Sequence, residues 1–198
     1  MRDAAALQRA AADFIARFGP PDVVIANAGI SHGVLTEAPE DLPVFRAVLE
    51  TNVLGIVYTF HPFLKAMRER RQGVLVGVAS IAGFRGLPGS GAYSASKAAA
   101  ISYLESLRVE LHGSGVHVVT ISPGYIATPM TAENRYAMPF LLPADRAARR
   151  IIRAIARRKA HYVLPWPMAI AGHALRLLPR PLYDAAFRRA PRKARQQK

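Results

Sequence analysis

A tyrosine and a lysine four residues apart, Tyr93 and Lys97, carry the sharpest chemical signal in this 198-residue sequence. At i and i+4 they lie one above the other on a helix face. An unperturbed phenol titrates near 10, too high for easy proton exchange at neutral pH. A cation held about 4 Å away, at an effective dielectric of about 20, favours the phenolate by roughly 4 kcal/mol. At 1.36 kcal/mol per unit, that lowers the phenol's pKa by up to about three units before desolvation opposes it. Ser80, upstream of Tyr93, adds a hydroxyl able to hold a carbonyl or alcohol oxygen beside the phenol. Taken alone, Tyr93 and Lys97 are the ordinary exposed couple of a helix surface. Against that, Lys97 continues the apolar stripe of Ile101, Leu104 and Leu111 and so points inward, where a lysine needs a reason. Asn52 poses the same question, because it occupies a core position in the most regular apolar stripe of the chain. A buried mid-helix amide costs stability unless it is fully hydrogen-bonded, so a satisfied structural asparagine and a functional one both remain open.

The elements that must position these groups follow from periodicity. Leu7, Ala11, Phe14, Ile15 and Phe18 recur at helical spacing, and Gly19-Pro20-Pro21 stops that helix. Residues 23–26 form a continuous β-branched run, which predicts a strand buried on both faces. A long helix is predicted from Phe45 to Leu64, with a kink near His61-Pro62. Further strands are predicted at 74–78, 116–121 and 161–164, with helices at 93–112 and 146–158. This alternation predicts an α/β fold, a doubly wound parallel sheet with helices on both faces. Ligands of such sheets bind beyond the C-terminal strand ends, so the loops after Ala26, Val78 and Ile121 are the ones to examine.

Composition narrows the class. An apolar fraction of 51% with 20% charged residues excludes a disordered chain. With no cysteine, disulfides, thiolate metal sites and a cysteine nucleophile are excluded, and a reducing compartment is favoured. His32, His61, His112, His117, His161 and His173 show no paired metal spacing, and Glu40-Asp41 reads as helix N-terminal charge. No metal site is expected. The net charge of +14 is uneven: residues 1–143 carry 12 basic and 11 acidic side chains, residues 144–198 carry 15 and 2.

Together these residues resemble the short-chain dehydrogenase/reductase family. The matches are Asn27-Ala28-Gly29 after the first strand, Asn52 in the long helix, Ser80 after the second strand and Tyr93-Ser94-Ala95-Ser96-Lys97. Pro123-Gly124 with Thr128 follows the third strand, and the resemblance spans about residues 3–165. It implies a Rossmann-type fold, NAD or NADP as cofactor, and hydride transfer between an alcohol and a carbonyl. By that resemblance Tyr93 is the general acid/base, Ser80 holds the substrate oxygen, and Lys97 lowers the Tyr93 pKa and binds the nicotinamide ribose. Asn52 holds a water that relays protons to Lys97. Asn27, Ala28 and Gly29 line the adenosine ribose side, while Pro123, Gly124, Ile126 and Thr128 meet the nicotinamide and its carboxamide.

The sequence departs from the family at its start. The glycine-rich TGxxxGxG turn that holds the pyrophosphate is absent, and the glycines between Gly83 and Gly91 cannot replace it. Two βα units, on the order of 60 residues, are expected to be missing. Arg2-Asp3 resembles the tail of the family's Asp-Val-x-Asp segment, consistent with a start assigned at an internal GTG codon. A catalytically silent Rossmann-like module is therefore the alternative to an enzyme.

Residues 1–165 are expected to form a partial Rossmann-type catalytic domain, and 166–198 a basic, proline-punctuated extension. The loop from Tyr125 to Leu142 is rich in apolar side chains, which suits either an apolar substrate beneath a mobile lid or ordinary packing. The expected partners are a small alcohol or carbonyl compound and, through an exposed sheet edge, a further copy of the chain. Arginines interleaved with Trp166, Ile170, Leu177 and Leu182 suit a peripheral contact with anionic membrane. The competing placement, which is favoured, packs Trp166 to Phe187 on the sheet and leaves Arg188 to Lys198 in solvent. No nucleic-acid partner is expected, because the basic segment carries no recognised motif. The longest apolar run near the end is too interrupted to span a bilayer, so a cytoplasmic protein is expected, with membrane association through its tail as the further option.

Overall fold

The computed structural model describes residues 1–132, 134 and 136–195. Four parallel strands form its main sheet: β1 (Val23–Ala26), β2 (Gly73–Val78), β3 (Val116–Pro123) and β6 (His161–Leu164), in the order β1-β2-β3-β6. Ala26 pairs with Gly77, Val78 with Ile121 and Pro123 with Leu164, so the C-terminal strand ends lie in a row. A two-residue pair, β4 (Ile126–Ala127) with β5 (Leu142–Pro143), closes off the loop that follows β3, which carries the single-turn helix α5 (Pro129–Ala132).

One sheet face is covered by α3 (Gly55–Glu69) and α4 (Gly91–Glu110), whose Ile56, Phe60, Met67, Ala100, Leu104 and Leu107 meet Val24, Leu75 and Val118. Against α3 lies α1 (Ala4–Phe18), capped by Asp3, whose carboxylate accepts from the Ala6 amide at 2.9 Å. The other face is covered by α6 (Ala144–Ala156), through Ala147, Ile151, Ala154 and Ile155 on Val76, Val119 and Ile121. That helix reaches β2, β3 and β6 but leaves β1 open. Val23 and Ile25 are accordingly 41% and 50% exposed, so the expectation that β1 is buried on both faces is wrong on one face. An apolar run alone cannot say which face a helix will cover.

The long helix predicted over Phe45–Leu64 is two helices joined by a wider turn. α2 (Leu42–Leu49) passes into a π-helical turn at Glu50–Leu54 before α3 begins, with the Gly55 amide bonding back five residues to the Glu50 carbonyl. The irregularity falls at Asn52, whereas α3 continues unbroken across Pro62. Inserting a π turn shifts the hydrogen-bond ladder by one residue, which strands one backbone carbonyl of this stretch without a helical donor.

The chain after β6 folds back over the strand ends. α7 (Trp166–Leu177) packs on β6 and on the turn after β2, and α8 (Arg180–Phe187) follows. The Tyr183 hydroxyl of α8 donates to the Gly86 carbonyl, and the Arg85 guanidinium stacks 4.3 Å over its ring. The segment beyond α8 does not extend into solvent as expected. The Gly33 amide donates to the Ala194 carbonyl at 2.9 Å, and Lys193 Nζ donates to Ser31 Oγ at 2.9 Å. Arg195 reaches both carboxylate oxygens of buried Asp41 at 2.8 and 3.1 Å, and Glu40 at 2.8 Å. Residues 196–198 lie outside the described residues. Asp41 is thus an anchor that also accepts from the Leu35 amide at 2.8 Å, beyond the helix N-terminal charge its sequence position suggests.

Candidate active site

Ser80 stands immediately after β2 and caps a short 3₁₀ turn, Ile81–Gly83, accepting from the Ala82 amide at 3.1 Å. Its hydroxyl also faces the Pro123 carbonyl at 3.4 Å, the end of the neighbouring strand. The turn lies so close to α4 that a Cβ on Gly83 would stand 2.6 Å from the Lys97 backbone carbon. Only a glycine permits that approach, and it sets Ser80 against the first turn of α4, where Tyr93 emerges.

Tyr93 is largely buried, and burial pushes its phenol above the ordinary value, with a hydrogen bond from Ser80 acting in the opposite direction. The expected lowering by Lys97 is not what the protein alone presents. Lys97 is itself buried, which draws its ammonium down from 10.5 to about 8. Its Nζ sits 5.7 Å from the Tyr93 ring centroid and donates to the Val78 carbonyl at 2.8 Å. Desolvation is the largest influence on both groups, and for the tyrosine it favours the protonated phenol.

Asn52 is fully buried and ties three elements together. Its Oδ1 accepts from the Ile30 amide at 2.8 Å, and its Nδ2 donates to the Ile30 carbonyl and to Ser96 Oγ, each at 2.9 Å. Ser96 Oγ in turn donates to the Tyr93 carbonyl at 2.7 Å. Both amide hydrogens are committed, so the side chain acts as a clamp between the loop after β1, the π turn and the helix bearing Tyr93.

The resemblance-derived cofactor residues fall along the row of strand ends. Asn27, exposed, with Ala28 and Gly29, follows β1; a Cβ on Gly29 would lie 3.3 Å from Asn52 Oδ1 and 3.4 Å from Lys97 Nζ. Pro123 ends β3, and the Gly124 amide donates to the Leu164 carbonyl at 2.7 Å. Ile126 and exposed Thr128 follow, with the Thr128 amide held by Thr131 Oγ1 at 3.0 Å.

Above Ser80 and Tyr93 opens a cavity of about 370 Å³. Tyr125, Met130, Tyr136 and Phe140 line it from the loop for which a lid and ordinary packing are both open. Met168, Leu175 and Phe187 close it from α7 and α8, and Lys193 reaches it from the C-terminal strap. The packing of Trp166 to Phe187 back on the sheet follows the favoured placement, whereas which of their side chains face the cavity is not legible in sequence. Among the described residues no cluster of histidine and carboxylate groups could hold a metal ion.

A family model of the short chain dehydrogenases matches residues 1–138. The chain belongs to the short-chain dehydrogenase family. An uncharacterized oxidoreductase of Myxococcus xanthus is 45% identical over 176 residues, covering 88% of this chain and 68% of that protein. Dehydrogenase/reductase SDR family member 7B of Bos taurus is 35% identical over 210 residues, covering the whole of this chain and 64% of its own length. A short-chain dehydrogenase from Streptomyces avermitilis superposes with a TM-score of 0.71 at 27% identity, over 87% of this chain and 71% of that one. The α/β fold with its parallel sheet is thus that of a short-chain dehydrogenase, an oxidoreductase family that works with nicotinamide dinucleotides.

Proposed function

We propose that the chain interconverts an alcohol and a carbonyl on an apolar small molecule with NAD or NADP, Tyr93 exchanging the proton. The observation that carries this reading is the placement of Ser80 and Tyr93 together in a cavity lined mainly by aromatic and aliphatic side chains, with Ser31, Arg85, Ser90, Thr131, Asn134 and Lys193 as its other polar lining. A carbonyl placed there accepts from the Ser80 and Tyr93 hydroxyls. Because burial keeps Tyr93 protonated, the phenol is poised to donate as negative charge develops on that oxygen. Lys97, behind the tyrosine, supplies a positive charge below pH about 8, which favours the phenolate left after transfer.

The nicotinamide half of a dinucleotide fits the residues present. Gly29 leaves open the space beside Asn52 and Lys97 that a Cβ would crowd, and the Lys97 ammonium has donors beyond its bond to Val78. Lys97, Tyr93 and Asn27 to Gly29 would hold the riboses, with Pro123, Gly124, Ile126 and Thr128 along the ring. When bound, the cofactor supplies or accepts the hydride.

Following reduced-cofactor absorbance with ketones of increasing chain length tests the proposal. Efficiency is expected to rise with apolar length until the cavity is filled. A preference for short polar carbonyls would remove the apolar-substrate assignment, and nucleotide binding without turnover of any carbonyl would favour the silent module.

A further inference from the structure

Helix α7 is apolar on two opposite sides. Its inner side, Met168, Ala171, Gly172 and Leu175, lines the cavity. Trp166, Ile170 and Leu177 recur at i, i+4 and i+11 on the outer side, where they are 70%, 63% and 83% exposed. Leu182 of α8 adds a fourth exposed apolar side chain at 59%. A helix face of this kind normally meets either a core or a partner. Arg176, Arg180, Arg188 and Arg189 belong to the same stretch of chain, all exposed and none in an ion pair with a described carboxylate. The sole acid of α7 and α8 is Asp184. Apolar side chains beside unpaired cations complement a surface that is itself apolar beneath an anionic layer. No helix among the described residues is long and apolar enough to cross a membrane, so the contact is in the plane of the interface.

We infer that the outer face of α7 and α8 docks the protein on an anionic lipid surface, with Trp166, Ile170, Leu177 and Leu182 entering the headgroup region and the four arginines meeting the phosphates. The inference does not depend on the catalytic reading. The opposite side of the same helix forms one wall of the cavity.

Trp166 is the sole tryptophan of the chain, so its emission reports on this face alone. Phosphatidylcholine vesicles containing about one third phosphatidylserine are expected to sediment the protein and shift Trp166 emission to the blue, whereas pure phosphatidylcholine vesicles do neither. Neutralising Arg180 and Arg188 as glutamines should weaken partitioning roughly fivefold for each charge, from about 1 kcal/mol per cation near such a surface. The double variant Ile170→Glu, Leu177→Glu should abolish both sedimentation and shift while keeping a cooperative melt, since both side chains are exposed. Equal binding to both vesicle types overturns the inference. So does sedimentation without a Trp166 shift, which would place the contact on another cationic face such as α6. A lipid-free dimer that Leu177→Glu splits would assign the stripe to a second copy of the chain and overturn it as well.

Discussion

Replacing Lys97 with methionine should stabilise the protein at neutral pH while removing turnover. The lysine is 3% exposed, and burial holds its ammonium near 8, against 10.5 for the unperturbed group. A gap of about 2.5 units, at 1.36 kcal/mol each, makes the charged form roughly 3 kcal/mol costlier in the fold than in the unfolded chain. Methionine has similar length and no charge, so that penalty disappears. The Val78 carbonyl then loses its donor, which costs about 1–3 kcal/mol. The net expectation is a gain of the order of 1 kcal/mol at pH 7. The pH dependence is sharper than the sign. Between about 8 and 10.5 the unfolded chain binds the proton that the folded chain has released, so wild-type stability rises with pH there. Above that window the wild type should match or exceed the variant. Urea unfolding of both proteins at pH 7 and pH 10 measures the crossover. A methionine variant that is more than about 1 kcal/mol less stable at pH 7, or a difference that does not change with pH, would refute the reasoning.

Further outcomes follow from the same geometry. Asn52→Ala orphans the Ile30 amide and carbonyl and Ser96 Oγ, so at about 1–3 kcal/mol per buried group it should cost about 3 kcal/mol or more in a chemical melt; a loss below about 1 kcal/mol would contradict the clamp. Carbonyl reduction should decline as pH rises through about 8, where Lys97 loses its charge, and a flat profile to pH 10 would contradict that role. Arg195→Ala should release the C-terminal strap and speed tryptic cleavage at residues 188–193. In the wild type, Arg195 first and the Leu35 amide second hold the Asp41 carboxyl below its ordinary 3.8, so the strap's contribution is present above that pH and fades as pH falls below it. Equal cleavage of the two proteins at pH 7 would show that the ion pair does not hold the strap.

Local pattern carried the sheet and failed at long range. The four main strands and the helix bearing Tyr93 were legible because β-branched runs bounded by glycine or proline leave few alternatives, and Lys97 was legible as inward from its stripe. The π turn at Asn52 was not, since a one-residue shift in the hydrogen-bond ladder leaves the apolar periodicity nearly intact. The exposed face of β1 escaped because coverage depends on where α6 ends up, not on the strand's own residues. The clamp of Arg195 on Asp41 joins positions 154 apart, and nothing in the local charge pattern of either end specifies it. The direction of the Tyr93 shift was misjudged because spacing reveals a neighbouring cation but not how dry the pair becomes.

The role of Tyr93 is tested most directly by the turnover of Tyr93→Phe, measured with bound cofactor on protein whose fold is verified by its melt. Removing one hydroxyl from a largely buried ring leaves the packing in place but takes away the proton that must move with the hydride. The account predicts a loss of about 10²-fold to 10⁴-fold with cofactor affinity little changed. Retention of more than half the wild-type rate would contradict it.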